Sequence, residues 1–600
     1  MKEAVVEKKE ASEGDAAKWV RDSSVDRRGS LPLRAATGVW KASLFIITIE
    51  FSERLSYFGI ATNLISYLTK VIHQDLETAA KNVNYWAGVT TMMPLIGGFL
   101  ADAYTGRFAI ILVSSLIYLM GLSLLTMSQF IPTLSPCDGP SPCSRTRKVH
   151  EVVFFLALYC ISVGTGGHKP CLESFGADQF DDNHDEERKK KMSYFNWWNF
   201  ALCCGLLLGV TVIVYVQDYK SWGAADLILT ITMAVSIGIF YSGRSYYRYR
   251  TPEGSPLTPL LQVLVAAIRK RNLPQPSSPD SLFEVPAPEN SHKRLLHHTN
   301  RLRFFDKAAI LEGGEAASGG EKYNPWRLAT VTQVEEMKLV LNMIPIWLTA
   351  LPFGVCVAQA STFFVKQGVA MDRRIGSFEI PAASTYALAA VGMIFSVTVY
   401  EKLLVPILRK STGNERGINI LQRIGFGLIF SVVAMSVAAL VEAKRLRTWK
   451  HDALVQKRAT PKPSMSVFWL APQYLILGLG DGFTLVGLQE YFYDQVPDSM
   501  RSLGIAIYLS VIGGGSFLSS FLITIVDHIT GQADGGQVWV GKDLNSSRLD
   551  RFYWLLAAIN LANICIYVAV ARRYTYKNVQ RRAVVASDCR EDGEDGEARA

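Results

Sequence analysis

The chain has 600 residues, 49% of them hydrophobic and 19% charged, with a formal net charge of +9. A mean hydropathy of +0.17 over that length excludes an ordinary soluble globular protein and points to one embedded in a bilayer. Nine cysteines without metal-ligand spacing give no sign of a metal centre.

The first 39 residues mix charges and lack the apolar core of a cleaved signal peptide, so residues 1–39 are expected to form a cytosolic tail. Apolar runs of about 20 residues, enough to cross a bilayer at about 1.5 Å per residue, then recur near 40–69, 82–102, 107–130, 149–172, 192–216, 221–243, 334–365, 379–408, 417–441, 465–493, 501–528 and 549–571. These runs predict an all-α membrane protein of twelve transmembrane helices in two six-helix bundles, residues 40–243 and 334–573. Between them lies a hydrophilic linker, 244–333, rich in Pro and charge, and residues 574–600 form a second cytosolic tail.

The linker carries thirteen Lys or Arg between Arg244 and Arg327, and the loops on its side include KKKM and LRKSTGNER. By the positive-inside rule that face is cytosolic. Residues 442–463 disagree, with seven basic side chains on the predicted outer face. Basic loops beside an anionic leaflet account for the net charge without nucleic-acid binding. On the outer face, Cys137 and Cys143 are a candidate disulfide if their loop meets an oxidising space, and Asn545-Ser546-Ser547 is a glycosylation acceptor.

The first run contains IITIEFSERLSYFG, which places Glu50, Glu53 and Arg54 where isolated charges cost about 2.5 kcal/mol or more each. Glu50 lies on the order of 15 Å from the cytosolic edge by helical rise, and spacings of three and four residues put the trio along one helix side. One acid suffices to neutralise Arg54; the other is then free to hold a proton. A structural ion pair is the alternative, but a second carboxylate adds desolvation cost to it with no offset. In the fourth run Lys169 precedes Pro170, where a helix is expected to bend or break. Snorkelling, or pairing with Glu173, is the competing reading for Lys169. The tenth run holds Asp481 and Glu490 on opposite helix faces. Glu490 matches the depth of Lys169, so a contact between them is a candidate gate, whereas Asp481 between Gly480 and Gly482 suits helix packing or backbone capping.

The loop GGFLADAYTGRF, with Gly98, Asp102, Gly106 and Arg107, fits a tight turn in which an acid and a base lock two helix ends. It resembles the Gly-x-x-x-Asp-x-x-x-Gly-Arg motif of the major facilitator superfamily. FGADQFD, with Phe175, Gly176, Asp178, Gln179, Phe180 and Asp181, resembles the signature of the proton-dependent oligopeptide transporter family, and FNWWNFALCCG (195–205) its fifth-helix motif. Glu50, Glu53 and Arg54 match that family's E-x-x-E-R motif. The long linker and GLQEYFYDQVPDSMRS are most similar to the plant nitrate transporter 1/peptide transporter branch.

The resemblance implies the major facilitator fold and proton-coupled symport of nitrate or di/tripeptides by alternating access. Glu50 and Glu53 would take the proton, Arg54 would balance them, and Lys169 and Glu490 would serve substrate or gate. Two departures bear on substrate: Val357 stands where some nitrate carriers of the branch have a histidine, and Leu339 to Val365 holds no acid. Another small organic anion, a hormone or a specialised metabolite is the alternative cargo, and a non-transporting nutrient sensor is a further one. No phosphate-binding loop and no nucleophile–base constellation speak for a pump or an enzyme. The implied partners are a small-molecule substrate, protons and the lipid bilayer, with no other cofactor, in the plasma or vacuolar membrane.

Overall fold

Each apolar run folds as helix, since a backbone crossing lipid must satisfy its own hydrogen bonds. The computed structural model describes residues 18–576 apart from 21, 23, 137–145, 182–183, 253, 256, 276–281, 285–295, 312–323, 413–416, 459–460, 498–499, 532–537 and 575. The candidate disulfide of Cys137 and Cys143 lies outside the described residues.

The first bundle is built from α1 (Val39–Ala61), α2 (Leu76–Leu100), α3 (Arg107–Phe130), α4 (Lys148–Ala177), α5 (Asp185–Leu208) and α6 (Trp222–Ser242). The second contains α7 (Val331–Ala360), α8 (Ala387–Val399), α9 (Ile420–Gln456), α10 (Ala471–Gln495), α11 (Arg501–Gly531) and α12 (Leu549–Arg572). Within the first bundle α4 packs on α2 and α3, and α1 on α5; within the second α10 packs on α8 and α9, and α9 on α12. The bundles meet chiefly along α2 and α11.

Among the described residues, nine helical stretches are long and apolar enough to cross a membrane. The other three, α1, α2 and α10, have the length, with 23, 25 and 25 residues, but not the apolarity. For α1 and α10 the deficit is the charge noted above: Glu50, Glu53 and Arg54 on one, Asp481 and Glu490 on the other.

Helix α9 has 37 residues, about 55 Å by helical rise, well beyond a hydrocarbon core of about 30 Å. Lys444, Arg445, Arg447 and Lys450, expected in a loop, therefore sit on a helix continuing past the apolar run. Arg445 is buried there with Glu442 at 2.7 Å, and its Nη1 donates to Asn545 Oδ1 at 2.7 Å. The glycosylation-acceptor asparagine thus also anchors a buried arginine.

Residues 257–341 form a compact unit of their own. Helix Leu257–Arg269 buries Leu260, Val263, Ala266 and Ala267, the last three in a cluster with Ala308, Ala309 and Val334. Lys338 Nζ lies 2.6 Å from Asp306 and 2.7 Å from Glu335. Much of the sequence-defined linker is thus a small core of its own, in which one ammonium is shared by two acids.

Candidate functional site

One face of α1 brings the three charges together. Arg54 Nε lies 2.8 Å from Glu50 Oε1 and 2.8 Å from Glu53 Oε2. Glu50 takes the Nε–H hydrogen bond, and neither oxygen of Glu53 has a hydrogen-bond partner among the described residues. Both acids are buried, Glu53 at 0% exposure. The guanidinium is therefore shared, where the sequence reading left one acid without a fixed partner. Behind it a Cβ on Gly205 would come within 2.8 Å of Arg54 Cβ and of the Phe51 carbonyl, which accounts for the glycine ending FNWWNFALCCG: α5 touches the α1 backbone at this point.

Helix α4 runs through Pro170 without a break. Its Lys169 ammonium stands 4.3 Å from the centre of the Tyr57 ring, a cation–π position, and Tyr57 in turn stacks on Trp86 at 5.9 Å. Glu50, Glu53 and Arg54 all act electrostatically on Lys169. The side chain points into the α1 cluster, neither snorkelling out nor pairing with Glu173.

Lys169 and Glu490 are not brought together. Glu490 lies 3.5 Å from Arg423 of α9, whose guanidinium covers the Tyr400 ring at 4.2 Å and donates to the Gly482 carbonyl at 3.1 Å. A nearer base in its own bundle holds the acid. Gly480 and Gly482 do serve helix packing, against Phe430 and Ser396. Asp481, expected to pack or cap, has a buried Oδ1 with no hydrogen-bond partner among the described residues. Tyr57, His168, Arg423 and Tyr400 were not singled out from sequence; the signal was faint, since each is unremarkable until the helices are rotated into place.

The FGADQFD residues tie together the bundle end that also carries residues 18–38. Asp178 pairs with Arg107 and, at 3.2 Å, with Arg250. Arg107 also reaches Asp102 at 3.4 Å across a π-helical turn, Ala101–Thr105, closed by Gly106 at φ 79. Only glycine adopts that φ without cost. Gln179 clamps both backbone groups of Arg248, at 2.8 and 3.0 Å. Asp181 and Glu187 grip Arg34 at 2.8 and 2.6 Å. Burial alone would lower the Arg34 pKa, but these two acids hold it above its ordinary value. Phe175 packs on Tyr247 at 5.2 Å and Phe180 on Tyr194 at 5.5 Å, and the Tyr194 hydroxyl occupies the space a Cβ on Gly176 would need. Strand β1 (Ser24–Val25) pairs with β2 (Tyr249–Arg250) at this end. Gly98 lies on α2, where its Cβ would sit 3.2 Å from Pro170.

At the opposite end the bundles are bridged. Lys366 donates to Thr69 at 2.9 Å, Ser384 to the Val210 carbonyl at 2.7 Å and Asn84 to Ser519 at 3.1 Å, while Tyr215 stacks on Phe378 at 5.8 Å. Among the described residues, the hydrogen bonds joining the bundles all fall in this half.

The sequence profile of the POT family matches residues 108–540. The chain belongs to the POT family. Its plant branch is equally plain: the NRT1/PTR FAMILY 5.6 protein of Arabidopsis thaliana is 62% identical over 94% of this chain and 96% of its own length. NRT1/PTR FAMILY 5.7 of the same plant is 60% identical over 97% and 96%. Among solved structures, an auto-inhibited POT family peptide transporter superposes with a TM-score of 0.63 at 19% identity, covering 90% of this chain and 99% of that one. The POT family transporter PepTSo gives 0.62 at 17%, covering 88% and 97%. As a POT family member the chain is a multi-pass membrane transporter of the major facilitator type and not an enzyme.

Proposed function

We propose that the chain is a proton-coupled symporter of nitrate or of di- and tripeptides, working by alternating access between its two bundles. The observation that carries this reading is the single Arg54 Nε–H between two buried carboxylates. Both acids compete for one directly bonded base, which leaves Glu53 without a hydrogen bond among the described residues, in a low-dielectric surrounding where a proton settles it. Substrate binding that recruits Arg54 or Lys169 alters that balance, which links cargo to proton.

Lys169, beside the cluster, is the substrate contact of the first bundle in this account, and Glu490 with Arg423 is the gate element of the second. With both termini cytosolic, the bridged half is the outer one, and this conformation is closed to the outside. Release into the cytosol then follows separation of Lys169 from Glu490, and the two approach when the outer bridges part. The membrane is that of the cell surface or the vacuole. Membership of the NRT1/PTR branch supports nitrate or peptide as cargo, while the stretch from Leu339 to Val365, without acid or histidine, favours neither over the other.

The test is a panel of nitrate, dipeptides and plant hormones offered to oocytes at about pH 5.5 and about pH 7.5 outside, recording uptake and current. Symport predicts stronger uptake at the lower pH, with inward current where the protons moved outnumber the negative charge of the cargo. Uptake equal at both, without current, contradicts it.

A further inference from the structure

Directly before Lys169, α4 carries a second titratable group that turns the other way. His168 is buried at 0% exposure, and its Nε2 lies 2.9 Å from Ser115 Oγ on α3. The one Ser115 hydroxyl proton goes to the Ile111 carbonyl, 2.6 Å away. With the imidazole as donor to Ser115 both contacts are used at once, and that arrangement puts the hydrogen on Nε2 and the lone pair on Nδ1.

That Nδ1 is buried and has no hydrogen-bond partner among the described residues. Each oxygen of Glu53 is likewise without one, while the Tyr118 and Ser56 hydroxyls have only each other. All four residues are at 0% exposure. The Tyr118 and His168 rings lie 5.9 Å apart, and Glu53 acts electrostatically on both. Buried polar atoms are almost always partnered, and a group of them between α1, α3 and α4 is unlike ordinary core. A base nitrogen within electrostatic reach of a buried acid gives the group a use.

We propose that His168 is a proton-relay residue behind Glu53, exchanging the coupling proton at Nδ1. The inference rests on the symport reading of the α1 cluster. In the step, the O–H bond of protonated Glu53 breaks and an N–H bond forms at Nδ1, leaving a carboxylate and an imidazolium that attract each other. A hydroxyl of Tyr118 or Ser56 along the way gives up one proton as it gains another. The groups that set the balance are Glu53, Arg54 and Tyr57 from α1, Tyr118 from α3 and Lys169 from α4 itself. Met93 and Gly97 of α2, which pack on Gly166, bring no charge, and α11 brings Tyr508, within electrostatic reach of Arg54 and Glu173.

The test has two arms. In proteoliposomes given nitrate or glycylglycine, His168→Gln is expected to bring the ratio of acid-outside to neutral-outside uptake down toward one, while exchange at equal pH across the membrane keeps the wild-type rate. In nanodiscs, nitrogen-15 histidine spectra, assigned by the signals His168→Gln removes, are expected to show hydrogen on Nε2 at neutral pH. Nδ1 then gains a proton on acidification, at a pH that Glu53→Gln alters. Acid stimulation retained by His168→Gln overturns the relay alone. So does hydrogen on Nδ1 at neutral pH, or a titration indifferent to Glu53→Gln. A wild-type chain without acid stimulation overturns the symport reading and the relay with it.

Discussion

The Lys169 ammonium lies 4.3 Å from the centre of the Tyr57 ring, one helical turn beyond Glu53. The ring covers the cation while leaving it within electrostatic reach of the acids. Replacing Tyr57 by Leu keeps the volume roughly but removes the quadrupole, a loss of about 1–2 kcal/mol for a desolvated pair. Uptake by Tyr57→Leu is expected to fall about tenfold with that energy, and Lys169→Ala to fall at least as far. Wild-type uptake by Tyr57→Leu would remove the ring from the account.

Arg423 and Glu490 are partners in this conformation, so their substitutions are expected to be non-additive. In a double-mutant cycle on thermal stability, Arg423→Ala and Glu490→Gln should couple by about 0.5–3 kcal/mol, whereas Lys169→Ala and Glu490→Gln should add. The reverse pattern would restore the direct Lys169 to Glu490 contact.

Arg248 is buried at 0% exposure and held by Glu187 at 2.6 Å and by the Thr37 carbonyl at 3.0 Å. Removing one partner of such a pair strands the other charge and costs about 3–5 kcal/mol. Arg248→Ala is expected to lower the thermal midpoint in detergent markedly, and Arg34→Ala, partly exposed, to do so much less. Equal effects would show that burial is not what matters at this end.

Hydrogen bonds join the two bundles at the end away from residues 18–38. Thr69→Val removes the acceptor of Lys366 and should shift the population toward opening on that side. A membrane-impermeant maleimide is expected to label a cysteine placed at Ser384 faster in Thr69→Val than in the otherwise unchanged protein. Unchanged labelling would mean that the bridge does not bias the two states.

Much of this was legible in the sequence for a physical reason. Helices that cross lipid must be long and apolar, so their number and place stand out, and charges inside them stand out for the same reason: Glu50, Glu53 and Arg54 were found by their cost. Helix rotation leaves no such mark. The depth of Glu490 suggested Lys169, yet Arg423 on α9 turned out to be nearer, and no spacing within α10 reports that. His168 was hidden by its neighbour, because attention to Lys169 takes in one face of α4 and Nδ1 lies on another. The FGADQFD residues were recognisable as a string, but their partners, Arg34, Arg107, Arg248 and Arg250, come from three separated segments. The small core around helix Leu257–Arg269 was masked by the Pro-rich composition around it.

The central claim is that the coupling proton rides on the acids sharing Arg54, and proteoliposomes test it most directly. With the interior near pH 7.5 and the exterior near pH 5.5, Glu50→Gln and Glu53→Gln should each abolish concentrative uptake while leaving exchange at equal pH, because a fixed neutral amide cannot carry the charge change that links gradient to cargo. Concentrative uptake at the wild-type rate by both variants would contradict the account.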